Sequence, residues 1–150
     1  MPSEQKTVAQ NLQIAEEHAA LRRLLGVISE LAVEGGEPSA RYAELAGHLM
    51  SQLKEHFAEE EEEVDGVFDQ IVSDAPRLAT EVNRLRREHI DFLSDAQRLL
   101  DIAEAGDAVQ EWRGRFGETF IRLQDALLRH ESDENELLQQ TYGDDIGDKD

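Results

Sequence analysis

Four of the five histidines in this 150-residue chain fall where an imidazole would be buried with a carboxylate in reach. His56 is followed by Glu60, and His130 by Glu134. On a helix, residues four apart project from the same face, so each pair would point one way. His18 and His89 occupy equivalent inward positions on two further segments. Imidazole and carboxylate are ligands suited to iron, manganese or zinc. The chain has no cysteine, which excludes thiolate zinc sites, iron–sulfur clusters, disulfides and thiol catalysis together. His18, His56, Glu60, His89, His130 and Glu134 are therefore candidate metal ligands.

Helices must position them. Helix formers fill most of the sequence and only three prolines interrupt it. Punctuation falls at Gly35-Gly36-Glu37-Pro38, at Ser73-Asp74-Ala75-Pro76 and at Gly106-Asp107. Pro38 and Pro76 suit a first helical turn, where a missing N–H costs nothing. Ser73 or Asp74 is expected to cap the third helix, and Asp107 with Gln110 resembles a capping box for the fourth. The expectation is one all-α domain over 1–150, with helices near 7–33, 38–72, 76–105 and 108–140. An acidic, frayed tail over 143–150 would follow. Short connections favour antiparallel neighbours, an up-down-up-down four-helix bundle with the metal site in its core.

Apolar residues recurring at steps of three and four mark each buried stripe. The first reads Ile14, His18, Leu21, Leu25, and the third Leu85, His89, Phe92, Ala96. The second runs Leu53, His56, Glu60, Val64, Val67, Ile71, and the fourth Leu127, His130, Glu134, Leu137. A single histidine on such a stripe is ordinarily a satisfied core residue. Six polar residues on four facing stripes are a different matter, because an unpaired buried carboxylate costs several kcal/mol. A divalent ion converts that cost into binding energy. Counted from the turns at ~1.5 Å per residue, His18 is level with His56 and Glu60 with His89. His130 lies ~10 Å too far from the third turn, an offset that requires a longer connection or a late start to the last helix. Gly114 and Gly117 weaken the first half of that helix.

Other polar residues read as background. His48 is about 80° around the helix from His56, toward the rim or solvent. Glu59, Glu61, Glu62 and Glu63 flank Glu60 off the stripe and read as a solvated face. Glu17, Glu55 and Glu88 each precede a proposed ligand, but neighbours at i,i+1 do not face each other, which leaves a water-mediated supporting role as the alternative to background. Trp112, Phe116 and Phe120 read as core. The net charge of −19 disfavours nucleic acid and anionic membrane as partners, and the cluster Arg84, Arg86, Arg87 reads as a solvated face. No apolar run approaches the ~20 residues that cross a bilayer, and no signal peptide is visible. The expectation is a soluble, cytoplasmic protein, monomer or homodimer.

The ordered series His18, His56-x-x-x-Glu60, His89, His130-x-x-x-Glu134 on four helices resembles the hemerythrin-like (HHE) cation-binding domain. The matching pieces are Glu17-His18-Ala19-Ala20-Leu21-Arg22, His56-Phe57-Ala58-Glu59-Glu60-Glu61, Arg87-Glu88-His89 and His130-Glu131-Ser132-Asp133-Glu134, spanning roughly 8 to 142. The resemblance implies two non-haem iron ions, oxo- or hydroxo-bridged, ahead of manganese or zinc. By the same implication His18 and His56 serve one iron, His89 and His130 the other, and Glu60 and Glu134 bridge them. Oxygen-carrying members have a further histidine one turn after the third-helix histidine, where this chain has Leu93. They carry an aspartate five residues after the last histidine, where this chain has Asn135.

Four histidines instead of five leave more coordination positions open, which favours reactivity over reversible carriage. The reading is a protein that binds or senses oxygen, nitric oxide or peroxide. A redox enzyme detoxifying peroxide or nitric oxide on the same site, or an iron storage and handling protein, is the alternative. Any signalling would need a separate protein partner. A ferritin-like carboxylate oxidase would need Glu-x-x-His. The residues three before the four histidines are Ala15, Leu53, Arg86 and Leu127, so that motif is absent. A metal-free interaction bundle is the remaining reading.

Overall fold

The structure is a computed structural model that describes residues 4–62 and 66–143, with side chains from residue 12 onward. Every regular element among them is helical. Five α-helices follow one another: α1 (Glu4–Glu34), α2 (Ser39–Glu60), α3 (Val67–Asp74), α4 (Ala79–Ala105) and α5 (Trp112–Tyr142). Short 3₁₀ turns at Pro76–Leu78 and Gly106–Ala108 precede α4 and follow it. Each of the four long helices packs against two others, α1 on α2 and α5, and α4 on α2 and α5. No described helix is long and apolar enough to cross a membrane.

Two boundaries differ from the sequence expectation. The helix expected over 38–72 ends at Glu60, and Val67, Phe68 and Ile71 belong to the separate α3. Glu63 and Val64 lie outside the described residues, as does the tail beyond Gly143. The break has a steric signature at Gly66, where a Cβ would sit 2.3 Å from the carbonyl oxygen of Glu62. Only glycine permits that approach. The last helix begins at Trp112 instead of 108, after an exposed Glu111 in the left-handed region (φ 58°). The late start removes most of the height offset. His89 is sixteen residues before the end of α4 and His130 eighteen after the start of α5, and their ring centroids are 5.0 Å apart.

The expected caps do not form. Asp74 closes α3 and accepts a hydrogen bond from the Tyr142 hydroxyl at 2.9 Å, tying α3 to the end of α5. Asp107 accepts from the Trp112 indole N–H at 3.0 Å instead of capping a helix. Apolar burial is divided between two clusters. One contains Leu21, Leu53, Phe92, Phe116 and Leu127; the other contains Ile14, Phe68, Leu85 and Leu137. On α1, α4 and α5 the histidine lies between a residue of one cluster and a residue of the other. The polar residues form a layer between two apolar cores.

Candidate metal centre

All six predicted ligands are in that layer and all are buried, with Glu60 and Glu134 fully so. They form two groups of four, His18, His56, Glu60, Glu134 and Glu60, His89, His130, Glu134. Within each group the donor atoms lie within 4.8 Å of one another. Each carboxylate spans both groups. Glu60 directs Oε2 at His56 Nε2 and Oε1 at His89 Nε2, each at 3.0 Å. Glu134 directs Oε1 at His18 Nε2 (2.9 Å) and Oε2 at His130 Nε2 (3.8 Å).

Each of the four histidines in the layer turns Nε2 inward, and a carboxylate from another segment lies on the Nδ1 side of its ring. Glu17 on α1 lies 2.5 Å from His56 Nδ1, and Glu88 on α4 lies 2.7 Å from His130 Nδ1. Glu61 meets His89 Nδ1, and Glu131 lies 3.8 Å from His18 Nδ1. Where the contact is a hydrogen bond, the carboxylate accepts from Nδ1–H, which fixes the tautomer and leaves the Nε2 lone pair free. Three of these carboxylates are themselves held. Arg22 pairs with Glu131, Arg84 donates to Glu88 at 2.7 Å and to Asp133 at 3.1 Å, and Gln13 donates to Glu17 at 3.2 Å.

The sequence reading missed these partners. Glu17 and Glu88 precede ligands but serve the histidine of the next helix, and Glu61 does more than face solvent. The arginine cluster is not simply solvated either, since Arg84 is engaged and Arg86 lies over the Phe68 ring at 5.7 Å. The signal was the Glu-His dipeptide at 17–18 and at 88–89. A residue ~100° around from an inward one flanks the helix–helix seam. His48 and Glu55 are exposed, as expected, and Trp112, Phe116 and Phe120 are core.

Burial raises Glu60 well above the usual carboxylate range, and the charge of Glu134 beside it adds to the rise. Burial pushes Glu134 up too, but Glu60, His18 and His130 outweigh it and hold this carboxyl below its ordinary value. His89 is pulled down to about 3, first by burial and then by His130, so its ring is neutral at pH 7.

The donor chemistry fits metal ions. Both oxygens of Glu60 and of Glu134, and Nε2 of His89 and His130, are buried and make no hydrogen bond. They approach one another closely at angles that do not suit one. A first-row cation bonded at ~2.0–2.2 Å holds its donors ~2.8–4.2 Å apart, the separations seen here. Lone pairs converging on a common centre are what a cation satisfies.

Fold and site together define an all-helical protein with a buried histidine–glutamate cation centre. A family model, the hemerythrin HHE cation-binding domain, matches residues 12–142, and the chain belongs to that family. Neither the curated proteins nor the solved structures yield a match.

Proposed function

We propose that this chain is a non-haem di-iron protein that binds or senses dioxygen or a related small ligand, nitric oxide or peroxide, at a His4Glu2 centre. The observation that carries the reading is the pair of four-donor groups sharing Glu60 and Glu134. In it, His18 and His56 hold one ion, His89 and His130 the second, and the two glutamates bridge. Iron supplies reversible binding or redox chemistry toward such ligands, which manganese or zinc would not match in the same way. The protein contributes buried imidazole and carboxylate donors, with the tautomers of His56, His89 and His130 fixed by carboxylates at Nδ1. The up-down-up-down connection of the four long helices belongs to the same reading, supported by their packing in pairs. So does a cytoplasmic location.

A redox enzyme on the same centre is the second reading. Its support is Leu93, half-buried one turn after His89, which brings no fifth imidazole. Two grooves also reach ligand residues. One, about 530 Å³, runs between α1 and α2 to His56, and the other, about 630 Å³, between α4 and α5 to His130. Metal analysis with an optical spectrum taken before and after oxygen, azide and peroxide separates the readings. We expect about two irons per chain. Reversible oxygen-dependent bands support binding or sensing, and peroxide turnover supports catalysis. Zinc alone would sink both, and iron retained without either response would favour storage or handling.

A further inference from the structure

A third cavity touches the centre and is lined by four glutamates, against two in the α1–α2 groove and a mixture of acids and arginines in the α4–α5 groove. It holds about 260 Å³ between the start of the described α1 side chains and the end of α2, and its polar lining is Gln13, Glu17, Glu59, Glu60 and Glu62. Glu59 and Glu62 are exposed at its mouth, Glu17 is half-buried, and Glu60 is fully buried at its inner end. Neither oxygen of Glu60 makes a hydrogen bond. Glu17 joins outside to inside, since one of its oxygens accepts from Gln13 at 3.2 Å while the other meets His56 Nδ1 at 2.5 Å. Gln13 also donates to Glu59 at 3.0 Å, holding the two acidic side chains together across α1 and α2.

Among the described residues, no arginine or lysine lines this cavity. The α4–α5 groove at His130, by contrast, is lined by Arg84, Arg98 and Arg129 among its acids. A hydrated divalent cation approaching a protein of net charge −19 is drawn to acidic mouths and repelled locally by guanidinium groups. It must also exchange water for protein oxygens one at a time, because hard hydrated cations give up their shell reluctantly. Graded burial from Glu62 and Glu59 through Glu17 to Glu60 supplies such a series of oxygens.

We propose that this cavity is the loading port of the metal centre, a transient docking point where a hydrated divalent cation exchanges water for Glu59 and Glu62 before reaching Glu60. The proposal rests on the dinuclear metal reading, and the test separates the two. Metal-free protein is mixed with cobalt(II), and uptake is followed by visible absorption in wild type and in the double variant Glu59→Gln/Glu62→Gln. A control, Glu81→Gln/Glu136→Gln, removes the same charge from a groove of about 270 Å³ that lies on α4 and α5 and includes Arg84. We expect the port variant to load about tenfold more slowly, with a weaker dependence of rate on salt, and to reach the wild-type stoichiometry. The control should load at the wild-type rate. Loading of the port variant within about twofold of wild type overturns the port, as does equal slowing in the control, which would mean that net charge alone sets the rate. Wild-type protein that takes up no cobalt at all overturns the metal reading and the port with it.

Discussion

The candidate centre is built from two helix pairs, α1 with α2 and α4 with α5, that contribute the same donor types but surround them differently. In α1–α2, His18 and His56 meet edge-on at 5.1 Å, and a groove bearing Glu17 and Glu55 and the acidic cavity reach this half. In α4–α5, His89 is stacked between Phe57, at 3.8 Å and 9°, and Phe68, at 5.4 Å and 23°. Phe92 stands edge-on to His130 at 5.0 Å. One half is therefore acidic at its margin, whereas the other is stacked against aromatic rings and opens at His130 to a groove that carries arginines. Identical donor sets in unlike surroundings need not do the same work. In the proposed dinuclear centre, the ring-stacked half would hold its ion more rigidly and the acidic half would exchange its ion more readily.

The largest effect should come from the residues that erase the distinction. Glu60→Ala or Glu134→Ala removes a carboxylate shared by both halves, so most metal should be lost from both and the folded state destabilised. Metal content and thermal unfolding of the purified variants check this. Full metal retention in both variants would show that the glutamates do not bridge.

The clustering of these candidate ligands was legible because the i,i+4 spacing of His56 with Glu60 and His130 with Glu134 survives any error in helix boundaries, and His18 and His89 fall on apolar stripes. What surrounds them was not. The end of α2 was hidden because a glutamate run favours helix and the apolar period continues into Val67 and Ile71. The true marker, Gly66, works through its closeness to the Glu62 backbone, a contact no periodicity carries. Without that break Phe68 could not be assigned to a separate helix over His89. The backing carboxylates were hidden because each acts across a helix seam, and a stripe describes one helix at a time.

Phe68→Ala tests the aromatic wall itself. The ring is fully buried, so its loss should cost about 3–5 kcal/mol in denaturant unfolding. It should also loosen the ion held by His89 and His130 while leaving the other in place. Chelator challenge that releases both ions together would break the distinction between the halves.

The backing carboxylates allow a gentler comparison. Glu17→Gln weakens support for His56 and Glu88→Gln for His130, each without a change of shape. Losses of second-sphere partners generally lower metal affinity about 10–100-fold. Competition titrations should therefore show one ion weakened in each variant, a different one in each case. Weakening of the same ion in both would mean that the assignment of histidine pairs to ions is wrong.

Acid distinguishes the walled half in the metal-free protein. An unfolded His89 takes its proton near the ordinary 6.5 and the folded one only near 3. Its contribution to stability is thus present above 6.5 and is lost as pH falls toward 3. Glu60 acts in the opposite sense, because a raised carboxyl favours the folded state at low pH and loses that advantage as pH rises. In chelator, the stability of wild type relative to His89→Gln should decline from pH 6.5 downward. A difference that stays flat across this window would mean that the ring is not held neutral by burial.

The smallest effect concerns the turns that bring the halves level. The connection from α1 to α2 places Gly35 in the left-handed region (φ 71°), whereas that from α4 to α5 places Glu111 there at φ 58°. A residue with a Cβ in that region costs roughly 1–2 kcal/mol, which glycine avoids at the expense of greater freedom when unfolded. Glu111 is exposed and its side chain makes no cap. Glu111→Gly should therefore stabilise the protein by about 0.5–1 kcal/mol with metal binding unchanged, measured by denaturant unfolding and titration. A loss of metal affinity instead would be the more informative result. It would mean that this backbone conformation holds the start of α5 at Trp112, and with it the height at which His130 meets His89.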